Sequence, residues 1–259
     1  MSALADLAIT GAGVVAGAVN TVVGSGTLLT FPTLLGLGYS PLVANVSNSL
    51  GLVPGSVGGA IGYRAELAGQ GRRAVSLGVG AAAGGIAGGT LLLTHPSTFQ
   101  AIVPWLILGA VALMAAQPRL KRALAEHDQR GGGSEGGAGS SGTPRWWLRL
   151  GVVLTGVYGG YFGAAQGVIL IAILSLGPEP SLQRVNALKN VLAGLINAVA
   201  AILFIAFGPV AWLPAGLLAV GSAAGSVIGA RYGRRLSPGV LRALIIVVGT
   251  GVAIKLLAT

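Results

Sequence analysis

Eight long apolar stretches, joined by short connections, constrain the fold of this 259-residue chain more than any other feature. A helix that crosses the hydrocarbon core of a bilayer needs about 20 predominantly apolar residues. Charged residues make up 8% of the chain, whereas soluble domains carry about 25%. The sequence therefore predicts an all-α integral membrane protein. Six stretches have the length of single crossing helices: 42–63, 74–94, 99–117, 185–208, 210–230 and 238–257.

The two remaining apolar stretches, 7–37 and 148–177, are interrupted by glycines near their middle. Each has about 30 residues, too long for one straight crossing and too short for two comfortable ones. We therefore expect each to be a re-entrant helical segment that enters and leaves the membrane on the same side. The interruptions contain Gly24-Ser25-Gly26 in the first stretch and Gly159-Gly160, Gly163 and Gly167 in the second. We place the backbone breaks at Gly24, Gly26, Gly163 and Gly167.

A Gly/Ser-rich segment separates the two halves of the chain. Residues 118–147 begin basic and then become rich in Gly and Ser, a composition typical of flexible linkers. Trp146 and Trp147 indicate a return to the membrane interface, where tryptophan is enriched. The sequence thus divides into a first transmembrane repeat (1–117), a linker (118–147) and a second transmembrane repeat (148–259).

Clusters of Lys and Arg predict how the chain is oriented. They follow the first full span, occupy the linker, precede the fourth span and separate the fifth from the sixth. Basic loops favour the cytoplasmic side. If the two broken segments are re-entrant, all these loops are cytoplasmic and both termini are external. Each half then contributes three crossings, so the second repeat is inverted relative to the first, as in many secondary transporters.

Polar residues repeat at equal spacing in the two halves. A constant offset of 141 residues pairs Gly26 with Gly167 and Asn45 with Asn186. The spacing i, i+3, i+4, i+11 places four polar residues on one face of each helix. The two sets are Asn45, Asn48, Ser49 and Ser56 in the first full span and Asn186, Lys189, Asn190 and Asn197 in the fourth. Two matching stripes predict one central polar site lined from both halves; the alternative is that they only join helices by hydrogen bonds.

Lys189 is the one ionisable residue well inside an apolar stretch. Its asparagine neighbours and the lack of a nearby carboxylate favour an anionic ligand, although a snorkelling lysine is the alternative. Helix N-termini exposed at the breaks would also attract an anion. Ser25 and Gln166 lie at the breaks, and Asn20 and Tyr161 just before them, so all four are candidate binding residues. The alternative is that the glycines only permit close helix packing.

Several functions are excluded by what the spans lack. No Asp or Glu lies inside a span, cysteine is absent and there are two histidines. We therefore predict a protein that is not an enzyme, with no catalytic residue, metal or cofactor. The net charge of +10 falls in short clusters between apolar stretches, which argues against nucleic-acid binding. The expected partners are a small anion and the lipid bilayer, and homo-oligomerisation is left open.

Motifs in both halves carry a family resemblance. They are Gly17-x-x-Asn20-x-x-x-Gly24-x-Gly26, Pro32-x-Leu34-Leu35 and Pro41-x-x-Ala44-Asn45-x-x-Asn48-Ser49, then Gly159-Gly160-Tyr161-Phe162-Gly163, Gln166-Gly167 and Asn186-Ala187-Leu188-Lys189-Asn190. In this order and spacing they resemble the two repeats of the sulfite exporter TauE/SafE family of membrane transporter proteins. The resemblance implies a multi-pass plasma-membrane transporter, often described as an exporter, of sulfur-containing anions such as sulfite or organosulfonates. Lys189 replaces the Asn48 of the first half.

Two other functions stay open for the same residues. An anion channel would use the same polar stripes as a pore. A non-transporting scaffold or assembly subunit would also be a multi-pass membrane protein, but it has no need of a central polar site. We expect a secondary transporter that works by alternating access around that site.

Overall fold

The computed structural model describes residues 2–131, 145–177, 181–232 and 238–258. Within these ranges the chain is helical and contains no strand, so the all-α prediction is confirmed. The helices in chain order are α1 (Ala3–Val22), α2 (Thr27–Gly36), α3 (Pro41–Gly62), α4 (Arg64–Leu67), α5 (Gly71–Thr94), α6 (Pro96–Gly131), α7 (Arg145–Tyr161), α8 (Gln166–Ser175), α9 (Leu182–Phe207), α10 (Trp212–Tyr232) and α11 (Pro238–Ala258).

Five helices in the described part of the chain have the length and composition to cross a membrane. Four of them, Gly71–Thr94, Pro96–Arg119, Leu182–Phe207 and Trp212–Tyr232, coincide with predicted spans. The fifth is α1, which we expected to be one arm of a broken segment. Helix α3 has 22 residues but carries the polar stripe of the first half, and it is not among the five. The points at which these helices meet a bilayer stay a prediction.

Both long apolar stretches are broken where glycines interrupt them. Residues 23–26 separate α1 from α2, and residues 162–165 separate α7 from α8. Gly24 and Gly163 have φ angles of +87° and +75°, which glycine adopts without the steric cost of a Cβ. Gly26 is the N-cap of α2, and Gly167 lies in the first turn of α8.

The second break is shorter than we predicted. Gly159 and Gly160 belong to α7, which ends at Tyr161. A Cβ on Gly160 would lie 2.9 Å from the carbonyl carbon of Gly85. Gly160 therefore allows α7 to pack closely on α5, as the packing alternative proposed.

The helix contacts repeat when the two halves are exchanged. Helix α1 packs on α10, and its counterpart α7 packs on α5; likewise α3 packs on α10, and α9 on α5. Helices α3 and α9 also contact each other, as do α6 and α11. Each half therefore packs its broken segment against the other half. The inverted orientation of the two repeats in a membrane stays a prediction.

The two halves are not related by one constant offset. Helices α3 and α9 begin 141 residues apart, but α2 and α8 begin 139 apart, at Thr27 and Gln166. The positive-φ glycines Gly24 and Gly163 show the same 139. The connection before α9 is two residues longer than the one before α3, so the pairing of Gly26 with Gly167 is wrong while that of Asn45 with Asn186 holds.

The predicted domain boundaries differ from the ends of the helices around the linker. Helix α6 continues to Gly131, beyond the predicted start of the linker at residue 118. Helix α7 begins at Arg145, before its predicted end at residue 147. The remainder of the predicted linker, 132–144, lies outside the described residues.

Replacing Gly225 with alanine is expected to destabilise the contact between α1 and α10. A Cβ there would lie 2.7 Å from the carbonyl carbon of Val14, so the helix backbones must separate, at a cost of about 1–3 kcal/mol. Gly216→Ala in the same helix is the matched control, because nothing lies within 4 Å of its Cβ. Alanine should be neutral or favourable there, since it is the better helix former. Thermal denaturation in detergent should separate the two, and equal melting temperatures would contradict the packing argument.

Candidate functional site

The two backbone breaks contact each other at the centre of the protein. The backbone N–H of Gly167 donates a hydrogen bond of 3.0 Å to the carbonyl oxygen of Gly24. A Cβ on Gly24 would lie 2.5 Å from the Cα of Gly167. We call this backbone contact between Gly24 and Gly167 the glycine junction. It brings the end of α1 and the start of α8, from different halves, to one place.

The polar stripes of α3 and α9 are buried between the halves. The structure buries every member of both stripes: Asn45, Asn48, Ser49, Ser56, Asn186, Lys189, Asn190 and Asn197. Because α3 and α9 pack on each other, the two stripes belong to one interior region. The sequence periodicity correctly placed these side chains on buried helix faces.

Equivalent asparagines cap the broken helix of the opposite half. The Nδ2 of Asn45 donates to the carbonyl oxygen of Tyr161, the last residue of α7, at 2.9 Å. The Nδ2 of Asn186 donates to the carbonyl oxygen of Thr21, near the end of α1, at 3.1 Å. The last four carbonyls of a helix have no partner within the helix, so these amides satisfy groups that each break leaves open.

Lys189 places a buried ammonium at the end of α1. Its side chain is 1% exposed, and Nζ donates to the carbonyl oxygen of Asn20 at 2.8 Å and to Oδ1 of Asn190 at 2.8 Å. The carbonyl oxygen of Thr21 lies 3.5 Å from Nζ. The negative end of the α1 dipole stabilises a cation there. Because Nζ turns inward to these oxygens, Lys189 does not snorkel to an interface.

Asn48 does not repeat the role of Lys189. Its Oδ1 accepts a hydrogen bond from the hydroxyl of Thr30, and its Nδ2 donates to Oγ1 of Thr27 at 3.4 Å. Both threonines belong to α2, in the same half as Asn48. The lysine therefore links the two halves, whereas the asparagine links α3 to its own short helix.

Three buried amide oxygens in the described residues have no hydrogen-bond partner. They are Oδ1 of Asn45, Oδ1 of Asn186 and Oε1 of Gln166. The Nε2 of Gln166 donates to Oδ1 of Asn197 at 3.1 Å, which joins α8 to α9. A buried acceptor without a donor costs about 1–3 kcal/mol. These oxygens can therefore accept hydrogen bonds from water or from a ligand that carries donors.

Other predicted site residues are engaged elsewhere or lie at the edge of the site. The hydroxyl of Ser25 lies 4.0 Å from the sulfur of Met114, and that of Ser49 donates to the carbonyl of Asn45 in its own helix. The ring of Tyr161 packs edge-on against Phe99. Half-buried Asn20 donates from Nδ2 to Oγ of Ser56 at 3.4 Å. For Tyr161, the main-chain carbonyl contacts the stripes rather than the ring.

The sequence reasoning missed three threonines and the main chain at the breaks. Thr21 supplies the carbonyl oxygen that accepts from both Asn186 and Asn190, while Thr27 and Thr30 hold Asn48. A usable signal was present, because Thr27 directly follows the first glycine break. The backbone carbonyls have no signal in side-chain identity.

The central site is closed in this structure. Asn45, Lys189 and Asn190 are 0%, 1% and 2% exposed. A ligand can reach them only if the two halves move relative to each other.

Comparisons with known proteins agree with a transport protein. The family model described as "Sulfite exporter TauE/SafE" matches residues 9–256. A probable membrane transporter protein, ORF9 of Sinorhizobium sp, is 27% identical over 246 residues, covering 94% of this chain and 89% of the relative. The probable membrane transporter protein YfcA of Escherichia coli K12 is 26% identical over 249 residues, covering 93% and 86%. No solved structure gives a significant match. The chain therefore belongs to the sulfite exporter TauE/SafE family of membrane transporters.

Proposed function

We propose that this protein is a secondary transporter, acting as an exporter, of small sulfur-containing anions such as sulfite or organosulfonates. The observation that carries the proposal is the buried ammonium of Lys189 at the boundary between the two halves. A buried charge needs compensation, and in this structure carbonyl oxygens of α1 provide it. Oxygens of a bound anion would take their place.

The ligand site consists of Asn45, Asn48, Asn186, Lys189 and Asn190, with Gln166 at its edge. The ammonium supplies charge, and the amides supply donors to an oxyanion. Ser25 is the weakest member of the predicted set, since its hydroxyl lies against Met114. The unpartnered oxygens of Asn45, Asn186 and Gln166 suit a protonated anion or its bound water.

Alternating access follows from the crosswise contacts. Asn45 holds the end of α7 and Asn186 the end of α1, so a rocking motion between the halves exchanges hydrogen bonds at both ends. Transporters with related repeats commonly move one repeat against the other around a fixed central site. In this proposal the protein lies in the plasma membrane with the linker cytoplasmic and both termini external. The closed centre favours a carrier over a channel with a continuous pore.

Sulfite flux into proteoliposomes that contain the purified protein tests this proposal. We expect saturable uptake, stimulation by sulfite on the opposite side, and competition by thiosulfate and small sulfonates. Liposomes without protein give the background leak. Flux that neither saturates nor shows stimulation from the opposite side would indicate an anion channel instead. A folded protein that moves none of these anions would contradict the proposal and favour the scaffold.

A further inference from the structure

A second cavity lies away from the central site, between α5 and α7. Its volume is about 360 Å³, and it is lined by Ser76, Leu77, Gly80, Arg149 and Val153. None of these residues belongs to the polar stripes or to the glycine junction. The transport mechanism proposed above assigns this cavity no role.

The cavity is polar at one end and apolar at the other. Helices α5 and α7 run parallel here, because Arg149 contacts Ser76 while Val153 contacts Gly80. Gly80 and Val153 each lie four residues further along their helices than Ser76 and Arg149, which is roughly 6 Å at 1.5 Å per residue. A cationic rim therefore lies above an apolar slot.

The surface around the cavity has the character of a membrane interface. Val75 and Leu154, which neighbour the cavity on α5 and α7, are 69% and 59% exposed. Trp146 and Trp147, one turn before Arg149, are 55% and 54% exposed. Tryptophan marks the headgroup level of bilayers, and exposed aliphatic residues suit the acyl region. The cavity therefore opens at the depth where lipid headgroups meet their chains.

Arg149 has donors to offer a ligand. Its Nη2 donates to Oγ of Ser76 at 3.4 Å, and a guanidinium carries five N–H donors in all. Arginine binds phosphate through two parallel hydrogen bonds, with geometry that lysine cannot match. Arg72, exposed one turn before Ser76, adds positive charge at the same end of α5.

We propose that this cavity binds an anionic glycerophospholipid. The lipid phosphate contacts Arg149 and Ser76, and one acyl chain occupies the slot beside Gly80 and Val153. A Cβ on Gly80 would lie 3.0 Å from Cγ2 of Val153, so the missing side chain keeps the slot open. Basic pockets between membrane helices recognise anionic lipids through this combination of charge and apolar contact.

Native mass spectrometry of the full-length protein tests the proposal. The detergent-purified protein is titrated with phosphatidylglycerol and, separately, with phosphatidylcholine that has the same acyl chains. We expect phosphatidylglycerol to bind more tightly, and Arg149→Gln to weaken its binding about tenfold, as expected for a lost charged hydrogen bond. Arg231→Gln is the matched control, because Arg231 is an exposed cation outside the cavity. It should bind phosphatidylglycerol like the wild type.

Two further measurements separate the lipid from a free phosphate. Gly80→Val keeps Arg149 but fills the slot, so it should also weaken phosphatidylglycerol binding, with its folding checked by thermal denaturation. Inorganic phosphate at millimolar concentration should not displace the lipid. Equal binding of the two lipids, unchanged binding by Arg149→Gln, or displacement by inorganic phosphate would overturn the proposal.

Discussion

Replacing Lys189 with methionine is expected to reduce sulfite flux by at least about 30-fold in a protein that still inserts and folds. Methionine approximates the length of the lysine side chain without its charge. The substitution leaves the carbonyl oxygen of Asn20 and Oδ1 of Asn190 without their donor. Removing one partner of a buried, hydrogen-bonded charge costs about 2–5 kcal/mol in affinity. Flux in proteoliposomes measures the loss directly.

Lys255→Met is the matched control for this prediction. Lys255 is an exposed residue of α11, so its substitution removes the same charge far from the central site. Its flux should match that of the wild type. Equal flux in Lys189→Met and Lys255→Met would show that the buried ammonium does not bind the transported anion.

A charge-conserving variant covers the case in which Lys189→Met fails to fold. Lys189→Arg retains the cation, but its planar guanidinium fits the position of one Nζ poorly. We expect it to fold and to transport with a KM for sulfite that is raised several-fold. An unchanged KM in this variant would contradict direct contact between residue 189 and the anion.

Alanine at the glycine junction is expected to cause the largest loss of stability. Gly24→Ala combines two costs: a φ of +87° that alanine rarely adopts, and a Cβ 2.5 Å from the Cα of Gly167. The conformational cost is about 1–2 kcal/mol, and overpacking adds about 1–3 kcal/mol. Gly167→Ala has only the second cost, because its Cβ would lie 2.7 Å from the carbonyl oxygen of Gly24. Both variants should melt earlier and transport more slowly.

Two glycines outside the junction separate these costs. Gly38 has a φ of +91° but nothing within 4 Å of its Cβ, so Gly38→Ala measures conformational strain alone. Gly36 ends α2 with open space around it, so Gly36→Ala controls for the gain in helix propensity. Melting followed by tryptophan fluorescence should rank Gly24→Ala lowest. If Gly167→Ala is as stable as Gly36→Ala, the halves do not depend on this contact.

Much of the central site was predictable because it lies on regular helices. The helical period places Asn186, Lys189 and Asn190 on one face wherever that face points. The hydrogen-bond partners were not predictable in the same way. Nζ of Lys189 bonds a main-chain carbonyl 169 residues earlier in the chain, and every residue type carries the same carbonyl. Only the fold decides which carbonyl lies within reach.

The repeat alignment failed where a loop changes length. Similar residues supported a gap-free offset of 141 residues, which is correct for α3 and α9. At the breaks the offset is 139, as the positive φ angles of Gly24 and Gly163 show. A Gly-rich chain offers chance matches at either offset, so residue identity cannot locate the two-residue difference.

Hydrophobicity and its period by themselves determined that this chain is an all-helical membrane protein with two glycine-interrupted segments and two polar stripes. These properties depend on transfer from water and on helix geometry, which are local along the chain. Tertiary structure decided that the breaks touch at Gly24 and Gly167, that each half caps the broken helix of the other, and that Lys189 differs in role from Asn48. Those outcomes depend on backbone groups brought together from opposite halves, and their positions follow only from the packing of the whole chain.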